Sequence, residues 1–370
     1  SQTAVARRRG DTWRVFTADD GLIEHIYADA VTDDGQSFSF RFWGNHFAET
    51  RQGEIWIGGA HEGQAAVCRL VGDRWERHVL PGGRVTQALA ASDGSLWFGT
   101  WDGEASVDGG GLHHYDGADW HRYDETNGLT SSRVYGIAEW PAGTMWVGVL
   151  NGVSRRALSA APDVPWQPVA DRWGGNRKLG GFVPTSQGVF FKGYGQSGGG
   201  APSVFRHDGE TLYSYPQHGL RRVSDLQAAD GAVWVSGAEG LSRFIDGDWS
   251  RLTAADGVDF TANMVAAPNG APVQWEAIHA TSAGGLWISS ADGVLTHLSS
   301  LSRFKTPETR LLPSAVQVSS AGNIQLQWSS GDRWKWSRPS EIRYQWRVDG
   351  GPWSATSQRT EVTLTELPPE

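Results

Sequence analysis

The sequence predicts an all-β protein built as a β-propeller, followed by a smaller β region at its C-terminal end. Three observations support this prediction: a unit that recurs along the chain, an aromatic residue at the centre of one strand in each unit, and abundant tight-turn residues. The chain has 370 residues, of which 48 are Gly and 20 are Trp. Glycine permits tight turns, and tryptophan favours the pleated, half-buried surface of a sheet.

The recurring unit is clearest when the copies are aligned on the strand that follows each tight turn. The central aromatic residues of these strands are Trp56, Trp97, Trp146, Phe190, Trp234 and Trp287. Subtraction gives separations of 41, 49, 44, 44 and 53 residues. Periods of about 40 to 50 residues with four strands each are typical of propeller blades. We expect the five tryptophans to pack between blades, because one blade cannot cover both of its faces.

Each unit shows the same internal order of strands. A short apolar strand such as RVYGIAE (133–139) comes first, and a glycine-containing turn leads into the aromatic strand. A third strand such as GLHHYD (111–116) follows. Asp-Gly turns, as in YDGADW and IDGDW, then predict a hairpin into a fourth strand that begins at Trp120 or Trp249.

The ends of the repeat predict how the ring closes. The sixth unit reaches its third strand at residues 293–298 and lacks a fourth, whereas residues 10–22 resemble a fourth strand without its first three. We therefore expect residues 12–17 to pair with 293–298, with Arg7-Arg8-Arg9 before them as a solvated tail. Residues 25–44 resemble two strands of a blade. We favour six blades with this segment as an insertion, and a degenerate seventh blade is the alternative.

The unit resembles the two-component regulator propeller repeat. The residues that carry the resemblance are Asn127-Gly128-Leu129, Arg133-Val134, Ile137-Ala138, Gly143 and Met145-Trp146-Val147-Gly148, and SDGSLWFGT (92–100) matches equally well. The resemblance spans roughly residues 10–300 and is specific in the second, third and fifth units. It implies the extracytoplasmic sensor region of a histidine kinase or hybrid two-component protein.

Beyond residues 302–316 the composition changes and period-two alternation continues in NIQLQW (323–328), EIRYQWRVDGGPWS (341–354) and TEVTLTELPP (360–369). This region resembles the tyrosine-marked immunoglobulin-like module that follows such propellers. The matching residues are Tyr344, Trp346, Arg347, Asp349-Gly350-Gly351, Trp353-Ser354, Thr363-Leu364 and Leu367-Pro368. We place the propeller at 1–305 and an immunoglobulin-like β-sandwich at 306–370, with its last strands expected to be missing after Glu370.

The loops on one face of the predicted propeller are longer than those on the other. They are residues 19–46, 59–64, 100–111, 193–202 and 253–275. Extra loop residues cost little stability, so long loops indicate the face on which binding residues are displayed. The candidate ligand-binding residues, which fall on these loops or on the adjacent strand ends, are His61, Trp101, Asp102, Arg133, Trp173, Arg177, Tyr194, Arg222 and Trp275. Structural roles compete for each of them, notably for Arg133 and Arg222, which recur at one blade position.

Several classes of function are disfavoured by the sequence. A formal net charge of −9 argues against a surface for duplex nucleic acid, and there is no apolar run long enough to span a bilayer. Cys68 is the single cysteine, and His113 and His114 are neighbours on a predicted strand, so their side chains diverge and cannot readily share a metal. No catalytic motif is present, and we expect neither cofactor nor metal.

These patterns predict a periplasmic or extracellular sensor region that binds a small molecule or oligosaccharide. Its signal is expected to reach a kinase through the C-terminal module, with a possible homodimer through that module in the full-length parent. Two alternatives remain open. One is a propeller lyase or other enzyme acting at the channel mouth, and the other is a protein-interaction scaffold.

Overall fold

The computed structural model describes residues 4–9, 11–25, 29–31, 37–39, 46–101, 109–169, 177–195, 203–215, 223–229, 231–237, 240–245, 247–252, 275–280, 286–290, 295–298, 308–312, 317–318, 323–331 and 342–365. In these ranges the regular structure is β, with two short 3-10 turns at Ala18–Asp20 and Glu125–Asn127. Neither turn has the length or the apolar character of a membrane-crossing helix. The all-β prediction is confirmed.

Two small hairpins precede the first blade. Strands β1 (Val5–Arg9) and β2 (Thr12–Phe16) pair antiparallel, as do β3 (Asp29–Val31) and β4 (Ser37–Ser39). The second hairpin lies in the segment that the sequence suggested as an insertion.

The first hairpin contains Arg7-Arg8-Arg9, so these arginines are not the solvated tail that the sequence predicts. Arg7-Arg8-Arg9 belongs to β1 and pairs with β2, because two strands joined by a very short turn lose little entropy when they pair. Arg7 and Arg14 both reach the carboxylate of Asp73, at 2.5 and 2.7 Å, and Phe16 is fully buried. Thr12–Phe16 is thus tied to the first blade, and its pairing with residues 293–298 stays a prediction, since 293 and 294 lie outside the described residues.

The blades follow in chain order, and each is an antiparallel sheet of sequential strands. Blade 1 contains β5 (Phe47–Glu49), β6 (Ile55–His61), β7 (Gln64–Val71) and β8 (Arg74–Leu80). Blade 2 contains β9 (Arg84–Ala90), β10 (Leu96–Trp101), β11 (Gly111–Tyr115) and β12 (Trp120–Tyr123). Blade 3 contains β13 (Val134–Glu139), β14 (Thr144–Val149), β15 (Gly152–Ala157) and β16 (Gln167–Pro168).

The remaining blades keep this order. Blade 4 contains β17 (Arg177–Thr185), β18 (Gly188–Gly195), β19 (Ser203–His207) and β20 (Leu212–Tyr215). Blade 5 contains β21 (Val223–Ala229), β22 (Ala232–Gly237), β23 (Gly240–Ile245) and β24 (Asp248–Leu252). Blade 6 contains β25 (Trp275–Ala280), β26 (Leu286–Ser290) and β27 (Leu295–Leu298). Among the described strands, β27 pairs with β26 alone.

The hydrophobic core consists of layers between neighbouring blades. Trp56 of blade 1 packs with Val85 and Phe98 of blade 2, and Trp97 packs with Val134 and other apolar residues of blade 3. Trp146 continues the series against blade 4 and is fully buried. The predicted role of these tryptophans between blades is confirmed for Trp56, Trp97 and Trp146. This packing of successive four-stranded sheets is that of a β-propeller.

The C-terminal region forms a separate small sheet. Strand β30 (Ile324–Gly331) pairs with β28 (Glu308–Leu311), β29 (Gln317–Val318) and β31 (Glu361–Leu364). Residues 344–357 form a hairpin whose turn contains Asp349 and Gly350, both with positive φ. The immunoglobulin-like sandwich and the boundary between 1–305 and 306–370 stay predictions.

Candidate functional site

The inner strand of each blade begins, and its second strand ends, at the same face of the propeller. In blade 2 this places Arg84, the first residue of β9, directly opposite Trp101, the last residue of β10. The guanidinium carbon of Arg84 lies 4.1 Å from the centre of the Trp101 ring. At this distance a cation is attracted by the electron-rich face of the ring.

The next two blades extend this contact. Tyr135, near the start of β13, has its ring centre 6.3 Å from that of Trp101. Lys178, near the start of β17, has its ammonium nitrogen 5.6 Å from the ring centres of both Trp101 and Tyr135. Three consecutive blades thus bring together Arg84, Trp101, Tyr135 and Lys178, which we name the Trp101 cluster.

A close approach of two backbones positions the cluster. Tyr135 forms a parallel bridge with Gly180, and it occupies a bulge, because the register against β14 shifts between Val134 and Gly136. A Cβ atom on Gly136 would lie 2.7 Å from the Cα of Gly180, and one on Gly180 would lie 2.3 Å from the Tyr135 carbonyl oxygen. Glycine at both positions is therefore what lets the inner strands of blades 3 and 4 touch. A bulge also redirects the side chain of the extra residue, here Tyr135.

The Trp101 cluster carries positive charge in a partly buried setting. Burial lowers the pKa of Arg84 to about 10, an effect opposed by the Tyr135 phenol, so the guanidinium stays charged at neutral pH. Within the described residues, Arg84 has no ion pair with a carboxylate. The Trp101 indole nitrogen is buried there without a hydrogen-bond partner, so this ring acts through its π face.

His61 lies at the same face, and the contacts described for it are with the scaffold. Its Nε2 is 2.5 Å from Nη1 of Arg77, and Arg77 also donates hydrogen bonds to the carbonyl oxygens of Gly21 and Leu22. The backbone of His25 bridges to Ala60, the residue before His61. These contacts fasten the segment before β3 to blade 1.

Arg133 and Arg177 join the inner strands to the β14–β15 turn. The Arg133 carbonyl accepts a hydrogen bond from Leu150, and Arg177 exchanges hydrogen bonds with Asn151, donating its backbone N–H to Oδ1 and accepting from the Asn151 backbone. Asn151 has a φ of 59°. The backbones of both arginines thus shape the rim beside the Trp101 cluster.

The other sequence candidates are only partly covered by the described residues. Asp102, Trp173 and Arg222 lie outside them. Tyr194 and Trp275 lie in β18 and β25, where only their backbones are described. The ligand roles of all nine candidates stay predictions.

The sequence analysis selected Trp101 but missed Arg84, Tyr135 and Lys178. A signal for Arg84 was available, because Arg-Val recurs at 84–85, 133–134 and 222–223. Lys178 is the equivalent residue of blade 4, but Leu179 replaces the valine there and hides the repeat. Tyr135 could not be found in this way, because its place depends on a bulge and on contact with another blade.

A cavity lies on the opposite face of the propeller. It is an open cavity of about 270 Å³ between blades 4 and 5, lined by Thr185, Gln187, Phe190, Ala232 and Phe244 among others. Its walls belong to the β17–β18 and β21–β22 turns and to the apolar layer between these blades. Among the described residues, no group of three or more His, Cys, Asp or Glu side chains could hold a metal ion.

Comparison with known proteins identifies the repeat. The structure is a β-propeller with the Trp101 cluster at the face where its inner strands begin. We call this face the mouth of the propeller. Residues 79–102 match the two-component regulator propeller family, so the β9–β10 hairpin, which carries Arg84 and Trp101, is similar to a repeat of that family. No protein of curated function matches the chain.

Solved structures with related folds are distant. An extracellular domain assigned to a hybrid two-component system of B. thetaiotaomicron is 15% identical, with a TM-score of 0.39, over 88% of this chain and 51% of that one. A GH74 xyloglucanase from Xanthomonas campestris is 16% identical, with a TM-score of 0.45, over 79% of this chain and 53% of that one. The chain spans about half the length of the first of these structures. We draw no functional argument from likenesses this distant.

Proposed function

We propose that this chain is the ligand-binding sensor region of a two-component signalling protein, and that it recognises a carbohydrate or related small molecule. The observation that carries the proposal is the match of residues 79–102 to the two-component regulator propeller repeat. The ends of the matched hairpin supply Arg84 and Trp101 to the mouth of the propeller. The residues that match the family therefore include two members of the Trp101 cluster.

The Trp101 cluster has the features of a binding site. Binding sites combine apolar or aromatic walls with a few fixed polar groups, and here two cations are held against two aromatic rings. Arg84 and Lys178 start inner strands of a packed sheet rather than lying on free loops, so they are fixed before a ligand arrives. Such preorganisation reduces the entropy that binding must offset.

The proposal places the chain in the periplasm or outside the cell, where a sensor meets its ligand. The signal would pass through residues 306–370 to an output domain elsewhere in the protein. The ligand is bound and released unchanged, which distinguishes this function from that of a propeller enzyme.

The test is a thermal-shift screen of the purified protein against neutral and acidic glycans, followed by calorimetry of the hits. A ligand at 100 times its dissociation constant stabilises the folded state by about 2.7 kcal/mol. We expect at least one glycan to raise the melting temperature and Trp101→Ala to weaken its binding. Trp13→Ala is the matched control, because Trp13 is 66% exposed in the β1–β2 hairpin and is not part of the Trp101 cluster.

Mass spectrometry of the recovered ligand separates the sensor from an enzyme. An intact ligand after long incubation supports the sensor, whereas cleavage or elimination products favour the propeller lyase or another enzyme. A complete absence of glycan binding would count against the proposal and favour the scaffold.

A further inference from the structure

Four consecutive blades place a basic residue at the same position of the repeat. The strand pairing of blades 2 to 5 defines this position. In each blade, one apolar residue of the inner strand pairs with the residue three places after the central aromatic of the second strand. These pairs are Val85–Thr100, Val134–Val149, Leu179–Gly193 and Val223–Gly237. The residues directly before them are Arg84, Arg133, Lys178 and Arg222. The inner strands of successive blades run side by side, so Arg84, Arg133 and Lys178 lie at the same face of the propeller, while Arg222 lies outside the described residues.

This local positive charge contrasts with the negative net charge of the whole chain. The formal net charge is −9, yet two of the four residues of the Trp101 cluster are cations. Cations clustered beside low-dielectric walls raise the local concentration of anionic ligands.

The aromatic rings of the cluster hold the cations in place. Arg84 lies over the Trp101 ring, and Lys178 lies within 5.6 Å of both Trp101 and Tyr135. The sequence analysis selected Trp101 as a candidate ligand-binding residue. In the structure the ring face contacts Arg84, so the tryptophan positions a guanidinium.

We propose that this mouth binds the anionic group of an acidic saccharide, a carboxylate or a sulfate, with Arg84 and Lys178 as its direct partners. The inference rests on the proposed function and narrows its ligand class. A planar guanidinium can bind either oxyanion with two parallel hydrogen bonds, and a nearby ammonium adds a point charge. Neutral saccharides would gain neither interaction.

Matched saccharides that differ only in charge provide the test. One pair is a uronate-containing disaccharide and its carboxyl-reduced counterpart, and the other is a sulfated disaccharide and its desulfated counterpart. Calorimetry at low salt is expected to show at least one acidic member binding about tenfold or more tightly than its neutral partner, because charge-assisted hydrogen bonds are roughly twice as strong as neutral ones. The pair that shows this difference identifies the carboxylate or the sulfate as the recognised group. Raising the salt concentration should weaken that binding.

Variants test the residues. Arg84→Gln and, separately, Lys178→Gln are each expected to weaken binding of the acidic saccharide about tenfold or more, a loss typical of one charged hydrogen-bonding partner. Arg206→Gln is the matched control, because Arg206 also lies over an aromatic ring, 4.3 Å from Tyr213, in the outer hairpin of blade 4. Circular dichroism checks that each variant folds. If Arg84→Gln does not fold, Lys178→Gln provides the test.

Two results would overturn the inference, and they differ in what else they overturn. Equal affinity for the acidic and neutral members, unchanged in folded Arg84→Gln and Lys178→Gln, removes the anion site but leaves the saccharide sensor. Failure of every saccharide to bind rejects both the anion site and the proposed ligand class.

Discussion

His113 and His114 are adjacent on β11 and lie in different surroundings. The Nε2 atom of His113 is 3.3 Å from the Thr100 hydroxyl and 3.2 Å from the Pro81 carbonyl, and only 2% of the residue is exposed. His114 stacks on Trp97 with ring centres 4.2 Å apart. Burial lowers the pKa of each imidazole to about 4, assisted by Arg122 for His113 and by His121 for His114.

A depressed histidine pKa makes stability depend on pH. Between pH 6.5 and about 4 the unfolded chain binds a proton at His113 that the folded chain does not, so stability falls as pH decreases through this window. For a fully buried imidazole the loss is on the order of 3 kcal/mol. We expect His113→Gln to lose less stability than the native chain between pH 7.5 and 4.5, as measured by urea unfolding. Equal losses in the two proteins would contradict this assignment.

The mouth shows which residue roles could be predicted from sequence. Trp101 was selected because it lies in the long loop predicted at residues 100–111. Its contact with Arg84 follows from strand register, which pairs the last residue of one strand with the first of its neighbour. Contacts of Trp101 with Tyr135 and Lys178 join different blades, and local sequence does not encode the distance between them.

At the scale of elements, inner strands are fastened to one another by side chains as well as by apolar packing. Gln87 donates a hydrogen bond to the Ile137 carbonyl at 3.1 Å and accepts one from the Ile137 N–H at 2.7 Å. Asp225 occupies the equivalent position in blade 5 and accepts from the Ile278 N–H. Burial raises the pKa of Asp225, and nearby Lys192 opposes that shift. These bonds link blade 2 to blade 3 and blade 5 to blade 6.

Blades 3 and 4 approach more closely, and glycine permits it. We expect Gly180→Ala to destabilise the propeller by about 1–3 kcal/mol, the usual cost of overpacking, because its Cβ would meet backbone atoms 2.3 Å away. Gly193→Ala is the control in the paired strand, where the new Cβ would meet the end of the Leu179 side chain at 2.9 Å. A side-chain end can move and a backbone carbonyl cannot, so denaturant unfolding should show the smaller loss for Gly193→Ala. Equal losses would show that the strand contact tolerates a Cβ.

For the whole molecule, the repeat made the propeller predictable because its period and its aromatic positions follow from packing between blades. The N-terminal strand was harder to predict. Its pattern suits a fourth strand, but the adjacent arginines also form a strand, and a local partner has the entropic advantage. Phe16 then enters the core of blade 1 beside Trp75, with ring centres 5.8 Å apart.

The C-terminal region presents apolar side chains that the propeller does not cover. Leu311 is 59% exposed, Leu312 37%, Trp346 37% and Trp353 58%. Exposed apolar groups concentrated in one region are typical of contact surfaces between proteins.

If the proposed sensor function holds, we expect two copies of the chain to pair through residues 306–370, and ligand binding to change how they pair. A ligand shifts an equilibrium between two arrangements only by its difference in affinity for them, so the change is measurable as a ligand-dependent dimer fraction. Light scattering with and without a confirmed ligand provides the measurement, and the double variant Leu311→Ser, Trp353→Ser should dimerise less. The same ligand should bind this variant with unchanged affinity, since both substitutions lie outside the Trp101 cluster. A native protein that binds ligand and stays monomeric at high concentration would contradict signalling through these residues.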